Sequence, residues 1–84
     1  MVNKTMHTIY VLRSLKDDNL YIGCTSNLQK RLIEHKSKKV FSTRSRLPIK
    51  LIYFENYPDK YEAYRMERFY KTAKGKRILK NKII

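Results

Sequence analysis

The pattern of apolar residues changes character along the chain, from short β-branched and aromatic runs to recurrence at every third or fourth position. Residues 7–14, HTIYVLRS, are rich in β-branched and aromatic types and predict a strand. Lys16, Asp17, Asp18 and Asn19 are turn formers, and residues 20–25, LYIGCT, predict a second short strand. A connection of about four to six residues suits an antiparallel hairpin. Leu28, Arg31, Leu32 and His35 then recur at helical steps, so they share one side of a helix that ends near Lys38. Ser26 and Gln29 have the spacing of a capping box at its start.

Residues 36–46 are basic and hydroxyl-rich, and read as an exposed loop with Val40 and Phe41 as candidate anchors. After Pro48 the pattern predicts a third strand, IKLIYFE. Ile49, Leu51 and Tyr53 would lie on one side and Ile52 and Phe54 on the other, so both faces are covered. Asp59 and Glu62 repeat the capping-box spacing, and Ala63, Met66, Phe69 and Tyr70 form the apolar stripe of a second helix. Gly75 reads as a break or turn. Residues 76–84 read as a short closing helix or as a basic tail docked by Ile78, Leu79 and Ile83. The fold class is α/β in the α+β sense: a small sheet flanked by helices, in the order β-β-α-β-α with a possible last helix. Periodicity does not place the third strand.

With 84 residues the chain reads as one domain, residues 1–84, whose first residues, 1–6, are a flexible N-terminus. Twenty Lys plus Arg against seven Asp plus Glu give a net charge of +13, which concentrates polyanions at the surface. Nucleic acid is the leading partner. A structural RNA-binding role or contact with acidic membrane explains the charge equally well. Cys24 is the single cysteine, which excludes an intrachain disulfide and a cysteine-rich zinc site and points to a reducing cytoplasmic setting. The apolar runs are too short for a spanning helix or a signal-peptide core.

Against that background a few residues change the picture. Tyr10 and Tyr21 stand near the middle of their strands, where packing alone accounts for tyrosine. Gly23 weakens a strand unless the backbone bends there or another group comes close. Arg31 and His35 are an i,i+4 pair on the side of the first helix that carries its leucines. An arginine drawn toward the core needs a carboxylate, a phosphate or an open cleft. Glu67, in the second helix, can pair with Lys71 or Arg31. It can also be the one hard carboxylate ligand of a Mg²⁺ or Mn²⁺ ion whose other ligands are water and phosphate. Together the set has the parts of phosphodiester hydrolysis: a phenol or imidazole to deprotonate water, an arginine for charge on the phosphoryl oxygens, and a carboxylate for a metal.

The linked spacing Tyr10-x₁₀-Tyr21, Tyr21-x₉-Arg31-x₃-His35, followed by Glu67 within EAYRMERFYK, resembles the GIY-YIG nuclease superfamily, and in particular its small stand-alone members. Thr8-Ile9-Tyr10 stands for the first motif, with threonine in place of its leading glycine, and Tyr21-Ile22-Gly23 is the second motif intact. The resemblance covers residues 8–80. It implies a three-stranded antiparallel sheet flanked by helices and one-metal hydrolysis of DNA, RNA remaining open as a substrate. It also implies a catalytic set of Tyr10, Tyr21, Arg31, His35 and Glu67, with Glu67 holding the Mg²⁺ or Mn²⁺ ion. Gly23 would lie against nucleic acid. Two basic bands would hold the backbone without reading sequence: Lys36, Lys38, Lys39, Arg44 and Arg46 in the first, and Lys74, Lys76, Arg77 and Lys80 in the second. Without a targeting domain in the sequence, specificity would be low or borrowed from a protein partner. The alternative is a DNA- or RNA-binding module that keeps the fold with little turnover.

Overall fold

β1 (His7–Ser14) and β2 (Leu20–Thr25) form an antiparallel hairpin in a computed structural model that describes residues 6–41 and 43–83. The flexible N-terminus expected over residues 1–6 lies, apart from Met6, outside the described residues, as do Ser42 and Ile84. The hairpin turn places Asp18 in the left-handed region at φ 62°, a conformation that aspartate tolerates well. The later elements are α1 (Leu28–Lys36), β3 (Ile49–Tyr57), α2 (Lys60–Tyr70) and α3 (Ala73–Ile83). β3 pairs antiparallel with β1, so the sheet order is β2-β1-β3, with the longest-buried strand at its centre.

The third strand is covered on both faces as expected, but one irregularity moves Tyr53 to the side of Ile52, and Phe54 is exposed. Val11 faces Tyr53 and Leu12 faces Leu51, so Ile52 is an extra residue between them. The bulge flips the phase: Ile49 and Leu51 stay on one face, while Ile52 and Tyr53 both turn to the other. On that second face Ile9 and Val11, both fully buried, pack against Tyr70 of α2 and Leu79 of α3. Burial of each such side chain contributes about 1.5–3 kcal/mol. On the first face Leu12 packs with Ile49, Leu28 and Leu32, so α1 covers the sheet from the opposite side.

Under α2 and α3 the Glu55 carboxylate accepts hydrogen bonds from the hydroxyls of Tyr53 (2.6 Å), Tyr57 (2.6 Å) and Tyr70 (2.9 Å), and from Lys82 Nζ (2.9 Å). This knot ties the last turn of α3 to β3.

The caps also differ in detail from expectation. Asn27, not Ser26, is the N-cap of α1, its side chain accepting from the Lys30 amide at 3.1 Å. Asparagine caps as well as serine, and here it stands one residue nearer the first helical turn. Asp59 does cap α2, accepting from the Tyr61 amide at 2.9 Å. Helix α1 ends at Lys36, and Lys38 just beyond adopts φ 67°, the left-handed conformation that often stops a helix. Gly75 does not break the chain. It is buried inside α3, where a Cβ would collide with the backbone of Phe69, so glycine is what lets α3 start against the end of α2. The chain turns instead at Lys71 and Thr72. Of the proposed anchors of α3, Leu79 is buried and Ile83 partly so, whereas Ile78 is exposed.

Candidate nuclease-like cleft

The centre of the site is the Tyr10 hydroxyl. β1 delivers it from the middle of the sheet, and the next strand makes room for it because residue 23 is glycine. A methyl group at position 23 would fall on the Tyr10 hydroxyl and ring, which are themselves 3% exposed and hydrogen-bonded, so they cannot swing away without loss. Gly23 therefore acts by admitting Tyr10 across the face of β2. Gly23→Ala is expected to keep the fold but lower any activity of the cleft by about tenfold or more. A variant with unchanged activity, and with the Tyr10 ring resonances of the parent in NMR spectra, would refute this account.

Three further side chains close on that hydroxyl. Arg31 Nε–H donates to the Tyr10 oxygen at 3.3 Å, and Arg31 Nη1–H donates to Glu34 at 3.2 Å. His35 Nε2 lies 3.0 Å from the Tyr10 oxygen, and its Nδ1 lies 2.7 Å from Thr43 Oγ1. Both His35 and Thr43 are buried. Burial, assisted by the adjacent Arg31 and opposed only by Glu34, lowers the His35 pKa, so the ring is neutral near pH 7. Helix spacing accounts for Arg31 and His35 meeting the same partner. Thr43 had no sequence signal: it belongs to the hydroxyl-rich loop, and two reverse turns, Thr43 N to Val40 O and Arg46 N to Thr43 O, fold it beneath the imidazole.

Glu67 comes from the helix layer on the other side of the sheet. α2 packs mainly against the Ile9–Val11 face, but Glu67 and Lys71 reach past the outer edge of β2. Tyr10, Tyr21, Gly23, Arg31, His35 and Glu67 thus line one cleft of about 230 Å³, walled also by Thr43 and Lys71. Glu67 accepts from Lys71 Nζ at 3.3 Å and not from Arg31, whose partner is Glu34. Cys24 lies on the wall as well, where burial and then the charge of Glu67 raise its thiol pKa and keep it protonated.

The donor set can be judged for a divalent ion. Among the described residues no three of His, Cys, Asp and Glu converge. Glu67 is one hard oxygen donor, its side chain 22% exposed in a cleft with room for water and a phosphate. That fits Mg²⁺ or Mn²⁺, which keep several waters and bind through one or two carboxylates plus substrate phosphates.

The basic bands divide. Lys36, Lys38 and Arg44, joined by Lys16, line a groove beside the loop that walls the cleft, and Lys39 is exposed nearby in sequence. Arg44 stacks over the exposed Phe41 ring at 4.6 Å, so Phe41 anchors nothing, while Val40 lines the cleft. Arg46 is ion-paired with Asp17. Lys74, Lys76, Arg77 and Lys80 are exposed on α3.

The GIY-YIG catalytic domain, as a family, matches residues 6–82 of this chain. The chain belongs to the GIY-YIG family. This GIY-YIG domain is 44% identical over 71 residues to a UPF0213 protein of Bacillus licheniformis, covering 83% of this chain and 72% of the relative. It is 36% identical over 75 residues to a UPF0213 protein of Staphylococcus haemolyticus, covering 88% and 90%. The solution NMR structure of a UPF0213 protein from Bacillus halodurans superposes with a TM-score of 0.57 at 33% identity, over 90% of this chain and 83% of that one. The GIY-YIG first motif starts here with Thr8, a regular strand residue whose Oγ1 donates to Asn56 at 2.7 Å, so no special glycine backbone is needed there. No helix among the described residues is long and apolar enough to cross a membrane.

Proposed function

We propose that this GIY-YIG domain binds the backbone of DNA and hydrolyses its phosphodiester bonds in the cleft around Tyr10. The observation that supports this best is the placement of one phenolic hydroxyl between a guanidinium N–H and a neutral, buried imidazole. In the tautomer that donates Nδ1–H to Thr43, His35 Nε2 accepts the Tyr10 O–H. Tyr10 can then take a proton from an attacking water while passing its own to His35. Arg31 stabilises the phenolate character that develops and, with the donors left on Nη2, the charge on a phosphoryl oxygen. Tyr21 lines the wall and orients the substrate. Glu67 would hold a Mg²⁺ or Mn²⁺ ion, which when bound supplies charge stabilisation to the phosphate.

Substrate is held by the basic bands and not by base reading. Lysines grip a backbone as flexible point charges, so sequence preference is weak and any specificity comes from a partner. Binding should fall with salt along a log–log slope of magnitude about 3–6, at roughly 0.7–0.9 per neutralised phosphate. Titrations of unrelated sequences from low to moderate salt check this. A slope near zero, or a hundredfold preference for one sequence, contradicts it.

A second reading has its own support: a DNA- or RNA-binding module with little turnover. Glu67 is ion-paired to Lys71, and no cluster of three metal-ligating side chains accompanies it among the described residues. Plasmid nicking with Mg²⁺ or Mn²⁺ separates the two. Cleavage that disappears in Glu67→Ala supports hydrolysis, and binding without cleavage supports the module. The pH profile carries a further expectation. His35 is harder to protonate than a free imidazole, so the acid limb of the rate should lie below about pH 6.5. A limb above that value would contradict the neutral, buried His35 as proton acceptor.

A further inference from the structure

A larger cavity lies beside the cleft, not in it. It measures about 620 Å³ and opens between the β1–β2 hairpin and α3. Ligand pockets span roughly 300–1,000 Å³, so this one can take a nucleobase and sugar, whereas the cleft at about 230 Å³ suits a phosphate and water. Its floor is apolar, formed by Leu20, Leu79 and Ile83, and its rim carries Arg13, Lys76 and Lys80 against the single acid Asp18. Arg13 Nε is enclosed without a hydrogen-bond partner among the described residues. The Asp18 carboxylate stands 3.9 Å away, too far for a hydrogen bond, and is itself 85% exposed. An apolar floor under a guanidinium whose side chain is 43% exposed and two exposed lysines matches a ligand with a flat apolar part and a phosphate. Tyr21 and Ile22 of β2 stand in the walls of both cavities.

We propose that this second cavity receives an unstacked nucleotide adjoining the phosphodiester held in the cleft, with its phosphate on Arg13, Lys76 and Lys80. The proposal rests on the nucleic-acid reading of the cleft and narrows it to strands whose bases are free to leave the stack. A base must part from its neighbours to enter a concave site, and single strands and frayed ends do so at least cost. Continuous duplex does not reach the floor.

Fluorescence anisotropy with a labelled single-stranded oligonucleotide and a blunt duplex of the same sequence tests this, with divalent ions chelated so that nothing is cleaved. The parent chain is expected to bind the single strand about tenfold more tightly. Lys76→Glu with Lys80→Glu, two exposed positions, should abolish that preference. Lys36→Glu with Lys39→Glu should weaken both ligands alike, and circular dichroism checks that each variant folds. A parent preference for duplex, or equal weakening of both ligands by the α3 pair, overturns the second cavity while leaving the cleft reading in place. Failure to bind either ligand overturns both. Intact strand preference here, together with no nicking in the plasmid assay with Mg²⁺ or Mn²⁺, overturns only the hydrolytic reading and supports the cavity.

Discussion

Tyr10→Phe is expected to reduce phosphodiester cleavage by about 10²–10⁴-fold while leaving nucleic-acid affinity within about threefold, since the basic bands are untouched. The substitution removes one oxygen from a ring held on both sides. Arg31 Nε and His35 Nε2 lose a common partner, and a buried imidazole nitrogen without one costs about 1–3 kcal/mol. The fold therefore survives at reduced stability. Arg31→Ala should lower turnover comparably, because it removes both the restraint on Tyr10 and the cation that meets transition-state charge. Single-turnover cleavage beside a binding titration distinguishes these outcomes. Cleavage at the parent rate in a clean preparation of Tyr10→Phe would show that another group activates the water.

Glu55→Gln should be the most destabilising polar substitution, by about 3 kcal/mol, which lowers the melting temperature by roughly 12–24 °C in a domain of this size. Burial alone would raise the Glu55 pKa. The hydrogen bonds from Tyr53, Tyr57, Lys82 and Tyr70 outweigh it and hold the carboxyl at about 2, against an ordinary value of 4.5. Tyr53 and Tyr57 respond in the opposite sense, burial and the carboxylate together pushing both up, Tyr53 to about 12. Because the folded pKa is the lower one, this stabilisation is complete above about pH 4.5 and is lost as pH falls toward 2. Melting curves from pH 6 down to about pH 2 should therefore slope for the parent and run flatter for the variant. Equal melting temperatures at neutral pH would mean that the carboxylate ties nothing.

What the sequence disclosed, and what it hid, follows from the range of each signal. Helical spacing joins Arg31 to His35, and β-branched and aromatic runs bounded by turn residues define β1 and β2, so local pattern suffices for these. The capping residue was misplaced by one position because Ser26 and Asn27 are both good caps and only the backbone decides between them. Ile52 could not be read as a bulge, since apolar residues fill both faces of β3 and alternation carries no phase. Gly75 read as a break because glycine usually is one. Its actual reason, contact with the Phe69 backbone, exists only once α3 folds back on α2. Thr43 was silent because its tie to His35 exists only once the loop folds back, and the Glu55 knot because Tyr70 and Lys82 join Tyr53 and Tyr57 from helices 15 and 27 residues on.

β1 serves the packed interior and the cleft with alternate residues: Ile9 and Val11 go beneath α2 and α3, and Tyr10 goes between Arg31 and His35. A slip of that strand by one position against its neighbours would drive the phenol into the interior and bring isoleucine to the imidazole. Correct strand pairing and an assembled cleft are therefore one and the same event in this sheet.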